Sequence, residues 1–91
     1  MLKVKTIYDN REEFCAALRS GKYIQVVGGP SHWHGNKVCA LGVANEEKII
    51  SYTATASEFR ALLGLSCVDI AVMNDDGKTF AEIADWIEQQ P

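Results

Sequence analysis

Three short residue pairs constrain the fold of this 91-residue chain more than anything else in it. Thr79 with Glu82, Thr55 with Glu58, and Asp9 with Glu12 each set an oxygen-bearing side chain three residues ahead of a glutamate. That is the spacing of a capping box, in which the two side chains satisfy backbone N–H groups that the first helical turn leaves unpaired. Behind Thr79, the residues Phe80, Ile83, Ala84 and Ile87 fall at i, i+3, i+4, i+7. They form one apolar stripe on a helix of about three turns. Behind Asp9, Phe14, Cys15 and Leu18 share a face until Ser20-Gly21, where glycine can adopt the left-handed conformation that closes helices. Behind Thr55 come Phe59, Leu62 and Leu63, then a stop at Gly64 with Leu65 placed to fold back on the helix.

The segments between these helices read as strands. Lys3–Tyr8 is short and β-branched and suits an edge strand, and Tyr23–Val27 suits another. Residues 38–44 alternate, residues 48–53 are β-branched, and Asn45-Glu46-Glu47 between them would close a hairpin, with a helix beginning near Cys39 as the competing reading. Ser66–Met73 reads two ways: as a strand through Val68, Ile70 and Val72, or as a short helix capped by Ser66 with Asp69. Gly28–Asn36 is turn material. The expectation is one α+β domain spanning residues 1–91. It has three helices near residues 10–20, 56–64 and 79–90 around a short antiparallel sheet, and a helix-dominated variant stays open.

A hydrophobic content of 47% with 23% charged residues belongs to an ordinary globular domain. No apolar run approaches the ~20 residues that span a bilayer. Met1–Thr6 lacks the apolar stretch of a secretory signal. A cytoplasmic protein with no membrane partner is expected. Three cysteines, Cys15, Cys39 and Cys67, form an odd set without pairing motifs, which suits reduced thiols rather than a disulfide framework. The net charge of −3 is uneven: residues 61–91 hold Lys78 against six acids, a balance of −5, leaving +2 for residues 1–60. Phosphate contacts need clustered Lys and Arg, so nucleic acid is not an expected partner.

The candidate motifs differ in strength. Gly77-Lys78-Thr79 has the ending of a phosphate-binding P-loop, but the earlier glycine would fall at Val72. Asn74-Asp75-Asp76-Gly77 has the beginning of a calcium loop, but its first and twelfth positions would be Val72 and Ile83, both apolar. What remains is a turn whose Asn and Asp side chains bond their own backbone ahead of the Thr79 cap. His32-Trp33-His34 with Cys39 has metal-ligand residue types, yet a structural zinc needs four ligands at paired spacings and no second pair follows. No metal and no cofactor is expected. Cys39 with His32 or His34 would be a thiol nucleophile only if a base and an orienting group lie within reach. The plainer role for a cysteine is a buried core thiol.

The loop around Trp33 is the stronger candidate. An aromatic residue in a turn-rich stretch is a typical binding anchor, with His32 and His34 beside it and Lys22, Arg19 and Lys37 flanking it as positive charge for an anionic group. The alternative is that Trp33 folds back to plug the small core. Trp86 borders the stripe of the last helix and reads as core or as an oligomer contact.

Four segments, Leu18–Gln25, Cys39-Ala40-Leu41-Gly42-Val43, Leu63-Gly64-Leu65 and Met73–Glu88, together resemble a group of small uncharacterised proteins of phages and prophages. The last segment carries most of the specificity. The group often has two adjacent cysteines where this chain has Cys39-Ala40, and an Arg- and Gly-bearing stretch where this chain has Val26–Gly35. Its central segment is the more helical in appearance. The resemblance implies phage context and the cytoplasm of a host cell, and no reaction. The expected function is a non-enzymatic binding protein of phage type that acts on a host protein or captures a small molecule through His32, Trp33, His34, Lys22 and Lys37. A homodimer fits its size and apolar content. Two alternatives are a cysteine-dependent enzyme using Cys39 with His32 or His34, and a purely structural assembly subunit.

Overall fold

A computed structural model describes residues 5–27, 36–91 and the backbone of 32 and 33. The described chain runs α1 (Ile7–Arg19), β1 (Ile24–Gln25), β2 (His32–Trp33), β3 (Lys37–Val38), α2 (Ala40–Glu46), α3 (Ala56–Leu63), α4 (Cys67–Asp75) and α5 (Phe80–Gln89). The fold is α+β and helix-dominated, with five helices rather than the expected three among the described residues. None of them is long and apolar enough to cross a membrane.

The capping boxes at Thr55–Glu58 and Thr79–Glu82 open α3 and α5 as expected. The first helix starts earlier than expected. Thr6, not Asp9, is its N-cap: the Thr6 hydroxyl accepts from the Asp9 N–H at 3.1 Å and the Asp9 carboxylate accepts from the Thr6 N–H at 3.0 Å. Asp9 therefore closes a box instead of opening one, and Ile7 and Tyr8 are helical, which ends the edge-strand reading there. Lys3 and Val4 lie outside the described residues.

The hairpin expected across residues 38–53 is replaced by α2. Cys39 caps it, its Sγ accepting from the Gly42 N–H at 3.4 Å, and Lys48 closes it with a φ of 60°. Ser66–Met73 resolves as helix too. Of its two readings the helical one holds, with Ser66 at the N-cap but without a side-chain cap bond, and helical geometry turns Ile70 and Asn74 inward and leaves Val68 and Val72 outside. The sheet is mixed rather than antiparallel, in the order β1-β3-β2. β1 runs parallel to β3, with Ile24 opposite Lys37 and Gln25 opposite Val38. β2 runs antiparallel to β3, with His32 opposite Val38 and Trp33 opposite Lys37. A parallel pair cannot be closed by a tight turn, so no local turn signal announces it.

The core joins Phe14 and Leu18 of α1, Val43 of α2, Leu63 of α3, Ile70 of α4 and Ile83 and Ile87 of α5. Each large side chain fully removed from water contributes roughly 1.5–3 kcal/mol. The first and last helices pack most extensively on each other. Arg19 clamps their outer edge, donating to Glu88 at 2.6 and 2.8 Å and to Asp85 at 2.6 Å. Arg11 is buried beneath them. Its guanidinium donates to the backbone oxygens of Leu63 at 2.7 Å, Gly64 at 3.1 Å, Pro91 at 3.0 Å and Gln90 at 3.3 Å. These oxygens close α3 and α5, so one cation sits at the negative ends of two helix dipoles.

Candidate functional site

The short sheet and the ends of α2 and α4 beside it form the candidate site. Residues paired across neighbouring strands share a face, so the register defines two rows. One is Ile24–Lys37–Trp33 and the other Gln25–Val38–His32. Val38 is fully buried, whereas Ile24 is 53% exposed and Lys37 is exposed. Trp33 thus holds a register position in the row whose other two members meet solvent. His32 belongs to the row centred on buried Val38, one residue before Cys39. The side chains of His32 and Trp33, and all of His34, lie outside the described residues.

The rows are held from behind by Asn74, the most informative side chain that sequence reasoning missed. It is 1% exposed. Ile24 N–H donates to Asn36 O at 2.7 Å and Val26 N–H to Val38 O at 2.9 Å, the slanted rungs of a parallel ladder. Beyond Val26 the strands part, and the Asn74 carboxamide fills the gap. Its Nδ2 donates to Val26 O at 2.8 Å and its Oδ1 accepts from Ala40 N–H at 3.0 Å. Only this orientation of the amide satisfies both neighbours. Gln25 completes the tie, its Nε2 donating to Asn74 Oδ1 at 2.9 Å and to Lys78 O at 2.7 Å. Asn74, expected to open an acidic turn and bond its own backbone, instead lies in the last turn of α4 and bonds across the fold. A helical Asn at i+4 from a buried Ile70 was the available signal.

The flanking cations differ in what they can do. Lys22 pairs with Glu47 at 3.0 Å and lies 5.4 Å from the centre of the Tyr23 ring. Tyr23 donates its hydroxyl to the same carboxylate. The Tyr23 and Lys22 hydrogen bonds hold Glu47 below the ordinary carboxylate range, and Glu47 holds Lys22 above the ordinary ammonium range. Burial, then the bond to Glu47, pushes Tyr23 up. Lys22 therefore ties β1 to the end of α2, as Arg19 ties α1 to α5. Lys37, in contrast, forms no salt bridge with the described residues.

Of the three thiols, Cys15 is buried and donates weakly to Ala84 O at 3.6 Å. Burial, with Glu88 nearby, pushes it up to about 11. Cys39 is half-buried and occupied as the α2 cap, and Cys67 is half-buried at the start of α4. No group of three or more His, Cys, Asp or Glu among the described residues is placed to hold a metal ion. Comparisons with protein-family models, with curated proteins and with solved structures found no match.

Proposed function

We propose that this chain is a small non-enzymatic binding protein of phage type, acting on a host protein or capturing a small ligand, with the Ile24–Lys37–Trp33 row as its contact strip. The observation that supports it most directly is the register, which draws an aliphatic residue, a lysine and a tryptophan from three adjacent strands into one row. Strands lie about 4.8 Å apart, so the row is roughly 10 Å wide. That width suits one flat apolar or aromatic group carrying an anion, the indole and aliphatic positions serving the first and Lys37 the second. The test is native mass spectrometry of affinity-purified protein exposed to bacterial lysate. A species carried by the unaltered chain should be lost from Trp33→Ala and Lys37→Ala and kept by Lys5→Ala, whose lysine pairs with Glu13 elsewhere. Retention by both row variants would remove the row as the site.

One observation favours the thiol enzyme instead. His32 stands opposite Val38, one residue before Cys39. On that reading Cys39 reacts fast with a thiol label and His32→Ala slows it. A Cys39 that reacts no faster than a solvent thiol, unchanged by His32→Ala, leaves it only the capping role its bond to Gly42 describes.

A further inference from the structure

Helix α4 carries more apolar surface than its packing uses. Ile70 and Asn74 face inward, while Val68 and Val72, one turn apart on the outside, are 62% and 52% exposed. Neither valine serves the helix locally. A β-branched side chain loses rotamer freedom in a helix, and an exposed one recovers nothing by burial. The charges around them are all acidic. Asp69 stands in the first turn of α4 beside Val68, Asp75 and Asp76 stand at its C-terminal end, and all three are exposed. Residues 67–77 hold these three aspartates and no lysine or arginine.

We propose that the Val68–Val72 face of α4 docks a basic amphipathic helical segment of a partner protein. Apolar side chains at helical spacing meet the two valines, and flanking Lys or Arg meet Asp69 and Asp76. Charge decides against the other occupants. A symmetric pairing of this face with a second copy brings aspartates against aspartates with no cation on α4 between them. An anionic bilayer is repelled in the same way. The face shares no residue with the sheet row, so it stands or falls separately from the reading above.

The experiment is a heteronuclear NMR titration with a synthetic leucine–lysine amphipathic peptide of about 18 residues, run beside a matched leucine–glutamate peptide. The lysine peptide should shift the amides of residues 68–76 and the glutamate peptide should not. Binding should weaken roughly tenfold on moving to ~0.5 M salt. Val68→Ala with Val72→Ala, which improves helix propensity and so keeps the fold, should weaken binding about tenfold. Asp69→Asn with Asp76→Asn should remove most of the salt dependence. Shifts centred elsewhere, equal response to both peptides, or unchanged affinity in the valine variant would overturn the proposal. So would a dimer in light scattering that the valine variant dissolves, since that gives the face to a second copy.

Discussion

Asn74 shows how one buried side chain can stand in for backbone. A carboxamide has an acceptor and a donor on one carbon, as a peptide group has, and Asn74 uses both to bridge Ala40 N–H and Val26 O where β1 and β3 diverge. Without it, the Ala40 N–H and the Val26 carbonyl lose their partner, while the Gln25 amide keeps its bond to Lys78 O. Asn74→Leu should therefore lower the unfolding free energy by about 2–4 kcal/mol, the scale for stranding buried polar groups. The check is a urea denaturation midpoint that falls with an unchanged slope. Asn74→Asp keeps the acceptor but turns a carboxylate on Val26 O. It should be at least as harmful at neutral pH and recover part of its loss once acid protonates the carboxyl. A pair of variants no worse than an exposed control would show that water replaces the rung.

Among the elements, α2 and α3 end by the same backbone device with different residues, and the contrast is measurable. Gly64 closes α3 with a φ of 66°, and a Cβ built there meets Arg11 Nη2 at 2.9 Å and Ile7 Cγ2 at 3.0 Å. Lys48 follows α2 with a φ of 60°, and Ile49 N–H reaches back to Ala44 O at 3.0 Å. A left-handed conformation costs a side-chain-bearing residue roughly 1–2 kcal/mol, partly offset in glycine by its larger unfolded-state entropy. Lys48→Gly should stabilise the domain by roughly 0.5–1 kcal/mol and Gly64→Ala should destabilise it by more than that, read as opposite shifts in melting temperature. The same contrast explains what was legible. Thr55 with Glu58 and Gly64 announce both ends of α3, and Thr79 with Glu82 announces α5. A sulfur cap at Cys39 and a lysine at the glycine position hide α2, so Asn45-Glu46-Glu47 reads as a hairpin turn. Of the proposed row, the sequence singles out Trp33 and Lys37 one by one but not their alignment with Ile24. Ile24 joins them only through a parallel pairing that no neighbouring residues encode.

At the scale of the whole molecule, the ends of the chain are tied through charge, and pH should reveal it. Glu47 is held low by Tyr23 and Lys22, Glu88 by Arg19, and Glu82 by its cap at Thr79. A carboxyl whose folded value lies below its unfolded value contributes stability that is present above the unfolded value and lost as pH falls through the folded one. Stability should thus hold from neutrality to near the ordinary 4.5 and decline below it. The alkaline side has the opposite sign. The Cys15 thiol is raised from 9.0 to about 11, so its contribution is complete below 9.0 and disappears as pH climbs to about 11. Lys22, held above its ordinary 10.5 by Glu47, loses its contribution as pH rises through its folded value. Glu47 therefore acts on both limbs, through its own titration in acid and through its partner in base. Glu47→Gln should flatten the acid limb and weaken the alkaline one, whereas Arg19→Met should change the acid limb through Glu88. The measurement is the urea midpoint across the pH range for the three chains. An acid limb unmoved by Glu47→Gln would mean that Lys22 and Tyr23 exchange this carboxylate for water at no cost, as exposed ion pairs often do.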